Sequence, residues 1–194
     1  MRECPFEVLG VERRPMPDLD FVREAYFARA EFLHPDKPGG SAQAFDAIRR
    51  AYEEICDPAR RLALLAGGEN GHGMGQPPWE IFDRVDKALR LATEALKPNR
   101  VASESAVVRA LRLRDLRAAE DECLRAKNVV REGLKSGEQK LRELDSDWPD
   151  VEPEAMVEVG RLFKFLQKWD RELDECAFAL RQARAALQAY SLAG

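Results

Sequence analysis

The run EFLHPDKPGG places His34, Pro35, Asp36 and Lys37 side by side, and an imidazole next to a carboxylate is a pairing suited to proton transfer or metal binding. The rest of the chain does not extend this chemistry. The second of the two histidines, His72, lies in a glycine-rich run. The spacings between the cysteines and the two histidines match none of those found in zinc sites. No GxSxG, P-loop or HExxH pattern is present. We therefore predict no enzyme, no cofactor and no metal site.

Composition narrows the class of protein further. Apolar residues make up 45% and charged residues 34% of the 194 residues, a balance typical of helices that bury one stripe. The 31 basic and 35 acidic residues are mixed along the chain, which argues against nucleic-acid binding. Four scattered cysteines without a CxxC pair predict reduced, buried thiols. No leader and no membrane-length apolar run is evident, so we expect a cytoplasmic protein.

Apolar residues recur at steps of three and four, which predicts an all-α protein. Short helices are expected after Pro5, ended by Gly10, and after Asp57. Asp18 is predicted to cap a helix that runs to Leu33, and Ser41 to cap the next. The second helix is expected to bury a stripe formed by Phe21, Val22, Ala25, Tyr26, Arg29, Phe32 and Leu33.

A run with five glycines and two prolines, 67–78, predicts a linker between an N-terminal domain, 1–66, and a helical domain, 79–194. The second domain should contain a helix from Trp79, a long helix from about Ala102 to Leu144 and a last helix with a heptad seam. The long helix carries Leu116, Ala119, Cys123, Ala126 and Val130, then, after one extra residue, Leu134, Gly137, Leu141 and Leu144. The last carries Leu162, Leu166, Trp169, Leu173, Cys176, Leu180, Ala183, Leu187 and Tyr190, with Phe163 and Phe165 off the seam. These seams predict an antiparallel three-helix bundle or coiled-coil hairpin, closed within one chain or between two.

The order of the N-terminal elements resembles the J-domain of DnaJ-type co-chaperones. The resemblance rests on a short helix, a helix with Ala25-Tyr26, the tripeptide His34-Pro35-Asp36, and then FDAIRRAYEEICDP, over about residues 5–66. It implies docking on a heat-shock chaperone of the DnaK or HscA type and stimulation of that partner's ATPase. The chaperone-binding residues implied are His34, Pro35, Asp36, Lys37, Tyr26, Arg23 and Arg29.

One feature departs from that family, which usually carries basic pairs after the tyrosine of the second helix. Here Tyr26 is followed by Phe27 and Ala28, so we expect weaker electrostatic steering or a partner tuned to this variant. Phe27 packing against the helical domain is a further interpretation. A helical adaptor whose J-like module no longer activates a chaperone is the alternative function.

The plan of a J-domain followed by a helical domain resembles HscB, the co-chaperone of iron–sulfur cluster assembly. RRLALL after Asp57-Pro58 and Phe165-Leu166-Gln167-Lys168-Trp169 support this resemblance, which implies an iron–sulfur scaffold as client. The segment between HPD and Asp57-Pro58 is shorter than in that family, and its scaffold-binding patch is not recognisable, so another client stays open. The predicted client-binding residues are Phe165, Trp79 and Phe82; packing of Phe165 against a neighbouring helix is the alternative.

Overall fold

The computed structural model describes residues 3–67, 77–97 and 105–192, with the backbone alone for 190–192. All regular structure in these ranges is α-helical, which confirms the predicted fold class. The helices are α1 Pro5–Leu9, α2 Leu19–Leu33, α3 Ala42–Cys56, α4 Pro58–Leu65, α5 Trp79–Ala95, α6 Ala106–Ser146 and α7 Pro153–Leu192. Within the described ranges, none of these helices has the length and apolarity needed to cross a membrane. His72 and most of the predicted linker lie outside the described residues, so the boundary predicted there stays a prediction.

The first four helices begin and end where short-range signals predict. The carboxylate of Asp18 accepts the N–H groups of Asp20 and Phe21, and the hydroxyl of Ser41 accepts the N–H of Ala44. Asp57 caps α4 in the same way. Gly10 ends α1 with φ 62°, a left-handed conformation that favours glycine. Local capping therefore fixes the lengths of these helices.

An arginine lies in the core formed by α1–α4. Arg61 is 3% exposed, and its Nε donates to the carbonyl of Pro15 at 2.8 Å while its Nη1 donates to the carbonyl of Ile55. Burial lowers the pKa of Arg61. The apolar core around it contains Phe6, Leu9, Val22, Ile48, Ala51, Ile55, Leu62 and Leu65. One buried cation thus joins α4 to the end of α3 and to the loop before α2.

The chain folds as two compact units, and the first comprises Met1–Gly75 with Gly137–Lys164. In this unit the α1–α2 loop is tied to the end of α6. The Nε of Arg14 donates to Oδ1 of Asp145 at 3.0 Å, its Nη2 donates to Oδ2, and the N–H of Met16 reaches Oδ1 at 2.8 Å. Gly160 of α7 lies against α4, where an added β-carbon would come 3.3 Å from the carbonyl of Ala59. Residues 137–164 therefore belong to the same compact body as the first four helices.

The second unit, Gln76–Ser136 with Phe165–Gly194, contains an antiparallel three-helix bundle. Lys87 of α5 pairs with Glu122 of α6 at 2.8 Å, and Arg184 of α7 pairs with Glu120 at 2.9 Å. Cys123 is buried between these contacts, and burial raises its pKa to about 11, which keeps the thiol protonated.

The helical seams differ in detail from the prediction. The first part of the α6 seam is buried as predicted, at Leu116, Ala119, Cys123, Ala126 and Val130. The seam then continues through Gly133, three residues after Val130, without the extra residue that was predicted. Gly133 faces the core, since a β-carbon there would touch Ile81 and Leu166. On α7, Leu166, Trp169, Leu173 and Leu180 are buried as predicted, whereas Leu162 and Cys176 are half-buried. Phe163 and Ala177 take their places in the core. Placing Phe163 off the seam was wrong, since its ring fills the space that Gly137 leaves open on α6.

The buried stripe predicted for α2 is also only partly correct. Val22 is fully buried, and Tyr26 and Leu33 are half-buried, but Phe21 and Phe32 are exposed. At about 100° per residue these two rings lie roughly 80–100° from Val22, beyond the strip that α3 covers. Phe27 is exposed as well.

Asp145→Asn tests the tie between the α1–α2 loop and α6. Partial burial acts to raise the pKa of Asp145, but the hydrogen bonds from Arg14 and Met16 and the charges of Arg14 and Arg61 outweigh it, so the pKa lies below its ordinary 3.8. A lowered folded-state pKa contributes stability that is present above the unfolded pKa and is lost as pH falls through the folded pKa. We expect the variant to lose about 2 kcal/mol of unfolding free energy at pH 7. Urea unfolding of both proteins from pH 7 to 2 should show the difference shrink below about pH 4; a difference independent of pH would contradict the assignment.

Candidate functional site

Two successive β-turns connect α2 to α3 and carry His34, Pro35 and Asp36. The N–H of Lys37 donates to the carbonyl of His34 at 2.9 Å, and the N–H of Gly40 donates to the carbonyl of Lys37 at 2.9 Å. Each turn has a proline in its second position, Pro35 and then Pro38, where a fixed φ favours the turn. Gly39, third in the second turn, has φ 84°, as a type II turn requires. We call residues 34–40 the turn pair.

Gly40, the last residue of the turn pair, packs against the backbone of His34, its first residue. A β-carbon at this position would lie 1.9 Å from the carbonyl oxygen of His34, so a larger residue does not fit. The N–H of Ser41 then donates to the carbonyl of Leu33 at 3.1 Å and joins the two helix ends. The turn pair is therefore a closed, constrained loop.

The imidazole of His34 is held on two sides. Its ring meets that of Phe45 edge-on at a centroid distance of 5.2 Å, and its Nδ1 accepts the N–H of Asp36 at 3.3 Å. This geometry leaves Nε2 as the protonated nitrogen of the neutral ring. The Asp36 side chain is 87% exposed, with Oδ2 3.6 Å from Nδ1 of His34. His34 thus orients a loop that presents a carboxylate to solvent.

Of the other predicted chaperone-binding residues, Lys37 belongs to the turn pair, and Arg23, Tyr26 and Arg29 lie on α2. Tyr26 stacks on Tyr52 of α3 at 4.6 Å. Arg23 pairs with Asp20 at 3.0 Å, and Lys37 reaches back to Glu31 at 3.6 Å. The guanidinium of Arg29 lies over Gly10, with Nη2 2.6 Å from where a β-carbon would be. The structure therefore brings these residues to one module but occupies Arg23 and Lys37 in exposed ion pairs.

The three predicted client-binding residues meet around one further side chain in the second unit. The ring of Trp79 meets Phe82 at 5.4 Å, Phe82 lies 6.2 Å from Trp169, and Phe165 stacks on Trp169 at 5.5 Å. Trp169 is buried, Phe82 and Phe165 are half-buried, and Trp79 is exposed. We call these four residues the aromatic cluster. The seam had marked Trp169 as core, but sequence spacing gave no sign that it joins α5 to α7.

The family model for the DnaJ domain matches residues 4–64, the stretch that contains α1–α3, the turn pair and all of α4 but its last residue. Residues 4–64 form a J-domain. The resemblance found in the sequence is thereby confirmed for this third of the chain. Gly40 and the buried Arg61 are structural residues of this J-domain that sequence reasoning missed, because their roles depend on contacts that appear only after folding.

Relatives with similar sequences share the J-domain region. The chain is 34% identical over 85 residues to DnaJ homolog subfamily A member 4 of Homo sapiens, covering 40% of this chain and 21% of that protein. It is 37% identical over 71 residues to Chaperone protein DnaJ 1 of Cutibacterium acnes, covering 36% of this chain and 18% of that protein. The match thus spans about a fifth of the length of these relatives.

The fold as a whole is similar to that of chaperone HscB from Vibrio cholerae. The comparison covers 89% of this chain and 96% of that one, with a TM-score of 0.54 and 20% sequence identity. The likeness extends beyond the J-domain into the long helices. At this identity it shows a shared fold.

Gly40→Ala tests whether closure of the turn pair is essential to its shape. Because the new methyl group would overlap the His34 carbonyl, we expect the loop to open and unfolding free energy to fall by about 1–3 kcal/mol. Gly39→Ala is the matched control, since it faces open space and costs only the left-handed backbone, about 1–2 kcal/mol. Amide hydrogen exchange should show Ser41 losing protection in Gly40→Ala alone. Equal protection of Ser41 in both variants would show that the closure is not constrained.

Proposed function

We propose that this protein is a co-chaperone that docks on a DnaK- or HscA-type chaperone and stimulates its ATPase. The observation that carries the proposal is the closed turn pair of the J-domain, which presents His34, Pro35 and Asp36 in one fixed arrangement. In this role the protein is a regulator, and the hydrolysis is the partner's chemistry. A cytoplasmic setting is part of the proposal and fits the four free cysteines.

The turn pair suits recognition of a cationic group on the partner. The Asp36 carboxylate is exposed and needs no rearrangement to accept charge-assisted hydrogen bonds from an arginine. Its backbone N–H is already bound to His34, and Pro35 restricts the turn, so little conformational entropy is lost on docking. The partner would therefore meet a preorganised acidic loop.

The aromatic cluster is the proposed client site. Aromatic side chains with one face exposed are common anchors in protein interfaces. In the aromatic cluster Trp79 is exposed, and Phe165 is half-buried and stacks on the buried Trp169. The fold likeness to HscB supports an iron–sulfur scaffold protein as the client. The client and the chaperone would thus use different surfaces of one chain.

His34→Gln should abolish stimulation of the chaperone's ATPase. Glutamine cannot pack edge-on against Phe45 or hold the Asp36 N–H at the same place, so the loop would lose its fixed shape. We expect single-turnover ATP hydrolysis by the DnaK-type chaperone of the same organism to be stimulated at least about tenfold less, a change equivalent to about 1.4 kcal/mol. Far-UV circular dichroism should be unchanged.

The chain provides its own control in His72→Gln, which replaces the other histidine and should stimulate like the native protein. Normal stimulation by His34→Gln would contradict the proposed role of the turn pair. No stimulation by the native protein would instead favour a helical adaptor. Adding an iron–sulfur scaffold protein should increase stimulation if that scaffold is the client.

Phe165→Ala and Trp79→Ala should weaken client binding without unfolding the bundle. Each removes a ring from the edge of the aromatic cluster and leaves buried Trp169 in place, so we expect a loss of about 1–2 kcal/mol, or 5- to 30-fold in Kd. Isothermal titration with an iron–sulfur scaffold protein measures this. Phe178→Ala, an exposed phenylalanine of α7, is the matched control. Loss of helicity in Phe165→Ala would assign Phe165 to the core.

A further inference from the structure

Within the described residues, helix α6 is covered on two sides by the other helices of the bundle and is open on a third. Glu122 pairs with α5 on one side, and Lys127 pairs with α7 on another. Around the open side Val107 is 69%, Leu124 48% and Leu111 45% exposed. Soluble proteins seldom leave several large aliphatic side chains uncovered along one helix, so this side is a candidate interface.

The exposed residues of the open side recur at alternating steps of three and four, which places them on one line along α6. The core seam shows the same spacing on the opposite side of the helix, from Leu116 to Val130. A surface depression follows this line and is lined by Ala110, Leu113, Arg114, Arg117, Ala118 and Asp121. The outer strip, as we call it, consists of Val107, Ala110, Arg114, Arg117, Asp121, Leu124, Asn128 and Arg131.

The outer strip is complementary to itself when two copies of α6 run antiparallel. With a two-fold axis at the height of Ala119, each of the two central layers joins Arg117 of one copy to Asp121 of the other. The remaining layers pair Arg114 with Leu124, Ala110 with Asn128 and Val107 with Arg131. No layer of the outer strip contains two like charges, and the long arginine side chains can lay their methylene groups on the aliphatic residues opposite.

The pattern of charges favours a second copy over a partner of one charge sign. A polyanion such as a nucleic acid would be attracted by Arg114 and Arg117, but Asp121 lies on the same line and would repel it. An antiparallel copy of α6 brings an opposite charge to both Arg117 and Asp121 at once. Self-association therefore uses charges of both signs in the outer strip.

We propose that this protein forms a symmetric dimer in which the outer strip of α6 packs antiparallel against the outer strip of a second copy. The strip is about 36 Å long and one helix wide, an area at the low end for specific interfaces, so the dimer should be weak and should depend on concentration. The inference does not depend on the proposed chaperone activity. It assigns a partner to a surface that the proposed docking and client sites do not use.

Sedimentation equilibrium of the full chain tests the dimer. We expect the native protein to pass from monomer to dimer with a Kd of about 10–100 µM. Arg117→Asp sets two carboxylates opposite each other in both central layers, and Asp121→Arg sets two guanidinium groups there, so each variant should dimerise at least about tenfold more weakly. Arg181→Asp, which reverses an exposed arginine of α7, is the matched control and should dimerise like the native chain.

An equimolar mixture of Arg117→Asp and Asp121→Arg is the decisive measurement. In a mixed dimer both central layers again join a carboxylate to a guanidinium group, so the mixture should dimerise within about threefold of the native Kd. Within each chain these two positions lie one helical turn apart, and their mismatch persists in the mixture. Recovery can therefore come only from contact between the chains. Far-UV circular dichroism should be unchanged, because both residues are exposed.

Three results would overturn the inference. A native chain that stays monomeric up to about 300 µM would assign the outer strip to a different protein. A native dimer that both single variants form equally well would place the contact on another surface. Failure of the mixture to recover would exclude the antiparallel pairing of Arg117 with Asp121. Each of these results leaves the proposed co-chaperone function standing, because ATPase stimulation is measured separately.

Discussion

The buried guanidinium of Arg61 is the interaction on which the arrangement of the N-terminal helices depends. It donates to the carbonyls of Pro15 and Ile55, two groups from separate segments that are both fully buried and therefore out of reach of water. Burying an arginine without hydrogen-bond acceptors would cost much free energy, and a buried carbonyl without a donor is also unfavourable. The guanidinium and the two carbonyls therefore stabilise one another in the core. Pro15 lies between Arg14 and Met16, which both bind Asp145, so the same few residues also join the J-domain to residues 137–164.

The turn pair depends on a second constraint, which is steric. Two prolines and two glycines leave the loop between α2 and α3 few conformations, and the contact of Gly40 with the His34 carbonyl selects one of them. The imidazole then needs only one ring contact and one hydrogen bond to be oriented. Steric contacts and one ring contact thus hold this loop of the J-domain in a single conformation.

Sequence reasoning succeeded where the determinants are local. Helix starts at Asp18, Ser41 and Asp57 follow from capping side chains, and the J-domain follows from motifs in a fixed order. It failed where the same apolar spacing is compatible with more than one choice of buried side chains. Apolar residues lie all round α2, so spacing alone could not show that Phe21 and Phe32 face solvent. Glycine carries no hydrophobic signal, so Gly133 was passed over. Phe163 was placed outside the core because the heptad spacing selected its neighbour Leu162, which the structure leaves half-buried. The role of Gly40 was invisible because it depends on a distance between backbones.

The fit of Phe163 over Gly137 also bears on alignment of the two long helices. A heptad seam repeats every seven residues, so sliding one helix by a full repeat preserves most apolar contacts and is a common error in such pairs. Here a slide of seven residues in one direction would set the Phe163 ring opposite Leu144 and bring the carboxylate of Asp170 to Gly137. The ring would lose the glycine that accommodates it, and a charged group would take its place. The pairing of Phe163 with Gly137 therefore disfavours that shifted alignment, and it lies in the same compact body as the J-domain.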